Sequence, residues 1–148
     1  TVISLQILAR RGERPRPVRE ARALPGHGLD GDIHGKSRAG SSRQVLLVDR
    51  GTLDTMGLRA GDLREQITVE LPGLDQLPSG TRLRVGQAVC ELTGPCEPCT
   101  HIGGLLGVPD PRALQQELDG RRGQLARIVA VDEIRSGHEV RIAQYLGR

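Results

Sequence analysis

The chain has 148 residues and a formal net charge of +3, enough length for one domain to bury a core without disulfides. It has no Phe or Trp and a single Tyr, so Val, Leu, Ile and Ala must fill that core, and the aromatic platforms of single-strand nucleic-acid binders are missing. No apolar run reaches the ~20 residues of a membrane span and no signal-peptide pattern opens the chain, so residues 1–148 are expected to form a single cytoplasmic domain with neither a membrane nor a nucleic acid as partner.

Twenty Gly and nine Pro favour short strands joined by irregular turns over a helical bundle. Val2 to Leu8 reads as a first strand with Ile3, Leu5 and Ile7 on one face. Arg10 to Arg22 holds six Arg together with Pro15 and Pro17, which argues for an extended basic loop or solvated linker. Gly26 to Gly35 is a glycine-dense loop in which His27, Asp30, Asp32 and His34 recur; the glycines permit positive φ, and the Asp side chains can bond nearby amides. Gln44 to Val48 is a buried-strand run. Asp49 then caps a short helix from Arg50 to Met56, and Gly57 stops it.

Ile67 to Val69 is a further strand, and Gly86-Gln87 joins Thr81–Val85 to Ala88–Thr93 as a hairpin. Asp110-Pro111 opens a helix that runs to about Leu118. Leu125 to Val131 and Glu139 to Ile142 complete the strands. Many short strands, two short helices and closely spaced turns predict a mostly β fold, a Greek-key-like β-barrel.

Cys90, Cys96 and Cys99 fall within ten positions, an odd and clustered set unlike a secreted disulfide framework. In a reducing compartment, clustered thiols point to metal or catalysis. The segment Thr93-Gly94-Pro95-Cys96-Glu97-Pro98-Cys99-Thr100-His101 leaves a strand and admits several chemistries. A redox pair is disfavoured because the motif follows a hairpin and contains Pro98. A non-catalytic zinc or adaptor module would use Cys96, Cys99 and His101, with Cys90 as an optional fourth ligand, but the second spaced ligand pair is missing. Cys90 shares a face with Ala88 and Leu92 and reads as a core thiol. The remaining reading is one reactive thiolate, a sulfur acceptor or a ligand to a soft metal, stabilised by nearby cations. Arginine could supply them: Lys36 is the only lysine, a bias explained equally by base composition and by anion binding.

Several blocks in order resemble the motifs of MOSC domains, the C-terminal domains of molybdenum cofactor sulfurases. They are Gly28-Leu29-x-Gly31-Asp32-x-His34, Arg43-Gln44-Val45-Leu46-Leu47 and Gly61-Asp62-Leu63-x-Glu65-x-Ile67-Thr68. Gly80-Thr81-Arg82-Leu83-Arg84-x-Gly86, Thr93-Gly94-Pro95-Cys96-x-Pro98-Cys99 and Gly123-Gln124-Leu125-Ala126-Arg127 follow. Two positions depart from the family pattern: Ile33 stands where many members have Arg, and Gln66 where Asn is usual.

The resemblance implies a mostly β, barrel-like MOSC domain with Cys99 as its chemical centre, carrying sulfur as a persulfide or ligating molybdenum. It implies the molybdenum cofactor (molybdopterin), resident or in transit, and no pyridoxal phosphate in this chain. Implied partners are a cysteine desulfurase or an electron-transfer protein. The implied activity is sulfur transfer, or the molybdenum subunit of an oxidoreductase that reduces N-hydroxylated compounds. Within that reading Lys36, Arg43, Glu65 and Arg127 are the cofactor-binding candidates. His34 and Asp32 are catalytic candidates, although Asp32 suits a loop-pinning role better than a catalytic one.

Overall fold

The computed structural model describes residues 1–33, 41, 43–97 and 100–144, with the side chains of residues 100, 101 and 144 left aside. Eight strands make one sheet: β1 (Val2–Ile7), β2 (Arg16–Val18), β5 (Val45–Asp49), β6 (Ile67–Val69), β7 (Arg82–Val85), β8 (Ala88–Pro95), β9 (Gln124–Ala130) and β11 (Val140–Gln144). A second sheet holds β3 (Glu20–Leu24), β4 (Gly28–Leu29) and β10 (Asp132–Arg135). Among the described residues three α-helices, α1 (Arg50–Met56), α2 (Thr100–Leu106) and α3 (Pro111–Glu117), and a 3-10 turn at Leu74–Gln76 complete the fold. The mostly β expectation with few short helices therefore holds. The large sheet runs β11-β7-β8-β9-β5-β6-β1-β2, and among the described residues its two ends do not pair to close a barrel. No helix of the described residues is long and apolar enough to cross a membrane.

Among the described residues only β5 and β6 pair in parallel, with α1 as their crossover; the other paired strands are antiparallel. Asp49 makes that crossover compact: its carboxylate accepts from Gly51 N at 3.2 Å and from Leu71 N at 2.8 Å, and Gly57 ends the helix at φ 66°. The continuous apolar run of β5 is explained by burial on both faces. Val45 and Leu47 enter the main core, with Leu83, Val85, Cys90, Leu92 and Ile128 of the large sheet and Ala23, Leu29 and Ile134 of the small one. Leu46 and Val48 face a second core beneath the helices, with Leu53, Leu63, Cys96, Ile102 and Leu118.

Several expectations are corrected. The pairing of β1 with β6 shifts register between Val2 and Ser4, so Val2 joins Leu5 and Ile7 in the core where Ile3 was expected. The basic segment is more than a linker: Arg16–Val18 is an edge strand, the place a proline-bearing strand can occupy, and Glu20–Leu24 is the middle strand of the small sheet. Helix α2 was not expected at all. Its Gly103 and Gly104 lower helix propensity, yet a Cβ on Gly103 would lie 2.7 Å from Pro111 Cα, so glycine is what lets α2 and α3 touch.

Candidate functional site

Cys96 directly follows β8 and is held against the turn that opens β9. Cys96 N donates to Gly123 O at 2.9 Å, and Gly123 N donates to Asp75 Oδ1 at 3.1 Å. Cys96 is 9% exposed and packs in the helix-covered core. It also lines a pocket of about 280 Å³ at one end of the large sheet, walled by Leu8, Val45, Leu46, Leu63, Gln66 and Leu125 and by Arg43, Arg64 and Arg122.

Three guanidiniums thus converge on one thiol-lined cavity, and among the described residues none of the three forms an ion pair. Arg122 Nη1 is buried with no hydrogen-bond partner. Arg64 Nη2 donates to Glu13 O at 2.7 Å, and Arg64 is the only non-glycine residue of positive φ, at 61°, among the described residues. Burial pushes its guanidinium pKa down, and the like charge of Arg122 adds to the effect. A cavity lined by three guanidiniums that form no ion pair among the described residues, one with an orphaned donor, has the chemistry to accept an oxyanion.

The polar frame around the pocket is internally satisfied. Gln66 Oε1 accepts from Leu46 N at 2.7 Å, while its Nε2 donates to Asp32 Oδ2 at 3.3 Å. Asp32 is 1% exposed, and Oδ2 also accepts from Leu8 N at 2.9 Å, which ties the glycine loop to the end of β1. That is the loop-pinning role. Gln66, which replaces the usual asparagine, spans β5 and this loop with its longer side chain.

Glu65 is fully buried and does not line the pocket. Its Oε2 accepts from Thr68 Oγ1 at 2.9 Å, and its Oε1 has no hydrogen-bond partner. Burial pushes its carboxyl pKa up, opposed by the Glu65 and Gly61 amides, Thr68 and the charge of Arg122. Arg127 also lies outside the pocket, half-exposed on β9, with Nε 3.8 Å from Glu91 Oε1. Cys90 is a core thiol as expected, its pKa pushed up to about 12 by burial.

Of the other candidates, Arg43 lines the pocket, whereas Cys99, His34 and Lys36 lie outside the described residues. His101 sits in α2 with its side chain outside them. Among the described residues no three His, Cys, Asp or Glu side chains gather as a metal site. Arg64 and Arg122 were missed. Arg64 lay inside the Gly61–Thr68 block and Arg122 beside the Gly123 block, so arginine next to a recognised block was the available signal.

Comparison with known proteins is consistent with this frame. A family model, the MOSC domain, matches residues 30–141. The YuaD protein from Bacillus subtilis superposes with a TM-score of 0.82 at 20% identity, over 97% of this chain and 95% of that one. YiiM from Escherichia coli gives 0.75 at 16% identity over 99% of this chain and 71% of that one. YiiM from Geobacillus stearothermophilus gives 0.72 at 17% over 97% and 75%. At these identities the likeness speaks for the fold alone. No curated protein matches the chain.

Proposed function

The chain belongs to the MOSC domain family, and on that premise we propose that its arginine pocket holds the anionic part of a molybdenum–pterin cofactor, resident or in transit, with Cys99 as the reactive thiol. The observation that carries this reading is the convergence of Arg43, Arg64 and Arg122 beside Cys96, with Arg122 Nη1 buried and lacking an acceptor. The residues fit the group: guanidinium forks suit a phosphate monoester and pterin oxygens, and a thiolate suits a soft metal centre. When bound, such a cofactor supplies two-electron chemistry at molybdenum.

This chain's own contribution is positional and electrostatic. Arg43, Arg64 and Arg122 orient the anion, and the apolar wall of Leu8, Val45, Leu46, Leu63 and Leu125 excludes water. Cys99 follows Cys96 by three positions in the sequence, and a nearby guanidinium would favour its thiolate. As a sulfur carrier, the Cys99 thiolate attacks the terminal sulfur of a donor persulfide. The donor's S–S bond breaks, a Cys99 persulfide forms, and the donor departs as thiolate, with no net oxidation. The donor would be a cysteine-desulfurase-type partner. A redox role would instead draw electrons from a separate electron-transfer protein.

Metal analysis and the fluorescence of oxidised pterin test the proposal, on protein made in a molybdopterin-competent host. Molybdenum and pterin near one per chain, with Arg122→Gln losing both, support the pocket. Loss of the metal in Cys99→Ala assigns the thiol as ligand, and a sulfur adduct on Cys99 by mass spectrometry assigns it as carrier. Wild-type protein with neither pterin, metal nor adduct overturns the reading.

A further inference from the structure

A second cavity of about 380 Å³ shares Leu8 and Arg64 with the oxyanion pocket and is otherwise lined by Arg11, Gly12 and Leu105. Its size suits a small organic molecule, since ligand pockets run from roughly 300 to 1,000 Å³. Its walls are of two kinds. Leu8 is buried at the end of β1, and Leu105, on α2, is 40% exposed, one of three large hydrophobics left open among the described residues. Arg11 and Arg64 supply the charge.

The basic loop and Arg64 form one side of this cavity. Arg64 reaches across to Glu13 O at 2.7 Å, so the segment that carries Arg11 and Gly12 is tethered to the residue separating the two compartments. Gly12, at φ 84°, has no atom within 4 Å of where a Cβ would stand, which leaves that part of the loop open. A neutral apolar guest would strip water from two guanidiniums without replacing it. A bare inorganic anion would leave both leucines unused. A compact apolar body bearing one anionic group satisfies both.

We infer that the Leu8–Arg11–Gly12–Arg64–Leu105 cavity binds a small organic anion, an apolar ring or short chain with one carboxylate or sulfonate, beside the cofactor pocket. Its use as the place where a substrate lies against the cofactor rests on the function proposed above. Its existence as a binding site does not.

The chain has no Trp and one Tyr, so an added fluorophore is read against a dark background. The probe is 1-anilinonaphthalene-8-sulfonate, an apolar body with one sulfonate, titrated into the full chain, with circular dichroism confirming that each variant is folded. Saturable emission is expected, displaced by benzoate but roughly tenfold less well by benzyl alcohol. Leu105→Gln and Arg11→Gln should each weaken dye binding roughly five- to tenfold. Arg141→Gln, an exposed arginine lining neither cavity, should leave it unchanged.

Unsaturable binding, equal displacement by the neutral alcohol, or equal sensitivity to Arg141→Gln overturns the inference. So does binding abolished by Arg122→Gln but indifferent to Arg11 and Leu105, because the dye then occupies the oxyanion pocket and the cofactor reading survives alone. Conversely, dye binding that depends on Arg11 and Leu105 in a protein that never acquires pterin or metal sustains this site and removes the cofactor reading.

Discussion

Cys96 and Gly123 are joined through their backbones: the Cys96 amide donates to the Gly123 carbonyl at 2.9 Å, so the cysteine loop hangs from the turn that opens β9. Only glycine suits the acceptor. Gly123 has φ 103°, and a Cβ there would stand 2.4 Å from Leu47 O and 2.9 Å from Val48 Cγ2. The contact is with the backbone of a doubly buried strand, which cannot yield cheaply.

Gly123→Ala is therefore expected to cost about 2–4 kcal/mol, combining backbone strain with overpacking. Urea denaturation followed by circular dichroism measures it. A loss under about 0.5 kcal/mol, the scale of an ordinary surface substitution, would show that β5 can move aside.

The bridge made by Gln66 leads to a second expectation. Replacing it with Leu removes the acceptor from the buried Leu46 amide and the amide donor from Asp32, leaving polar groups without water. The cost should be about 1–3 kcal/mol, the penalty of an unsatisfied buried group. Gln66→Asn, one methylene shorter, should lose less. If Leu proves as stable as Gln in a denaturant titration, the bridge contributes nothing to the fold.

Much of this frame was legible in the sequence. Asp49 and Gly57 bracket α1 because capping chemistry is local, and Gly86 marks its hairpin for the same reason. The run Val45–Val48 announced burial because nothing polar interrupts it. Strands β3 and β10 were illegible because they alternate Arg and Glu with small or single apolar residues, as a solvated loop also would. The site was half legible. Cys96 and Arg43 sit in recognisable blocks, and Arg64 and Arg122 lie in or beside such blocks, but that these two arginines approach each other is decided by tertiary packing.

Glu65 gives a pH dependence whose sign follows from its raised pKa. The folded state holds the proton more tightly than the unfolded chain. Its stabilising contribution is thus full below the unfolded value near 4.5 and is lost as pH rises through the higher folded value. Glu65→Gln, which keeps an acceptor for Thr68, should be close to wild type in stability at pH 4 and more stable than wild type at pH 8. Paired urea titrations across that range measure the difference. A gap that shrinks as pH rises would show that the charge of Arg122 outweighs desolvation.

Cys90 should be chemically silent while the fold is intact. It is fully buried with a pKa pushed up to about 12, so neither access nor thiolate is available at pH 8. Mass spectrometry after maleimide treatment should find Cys90 unlabelled in native protein and labelled after denaturation, with a native rate set by unfolding. Rapid native labelling would show that the sheet opens locally around β8.

Arg122 combines a cost to the empty fold with a use in binding. Its charge adds to the burial that already presses on Arg64, and its own Nη1 is buried without an acceptor. Removing it should relieve both penalties. Because the substitution also gives up the attraction of Arg122 for the buried Glu65 carboxylate, Arg122→Gln is expected to stay close to wild type in melting temperature without added anion. Sulfate then separates the two proteins, because its charge is constant from pH 5 to 9 and it stabilises only the state that binds it. At 100 times its dissociation constant the linkage amounts to about 2.7 kcal/mol, several degrees in Tm for a domain of this size. Wild type should show that saturating rise, while Arg122→Gln should show only the weak linear effect of salt on the solvent. Equal responses would mean that the guanidiniums repel one another without holding an anion between them, and the pocket would lose its functional meaning.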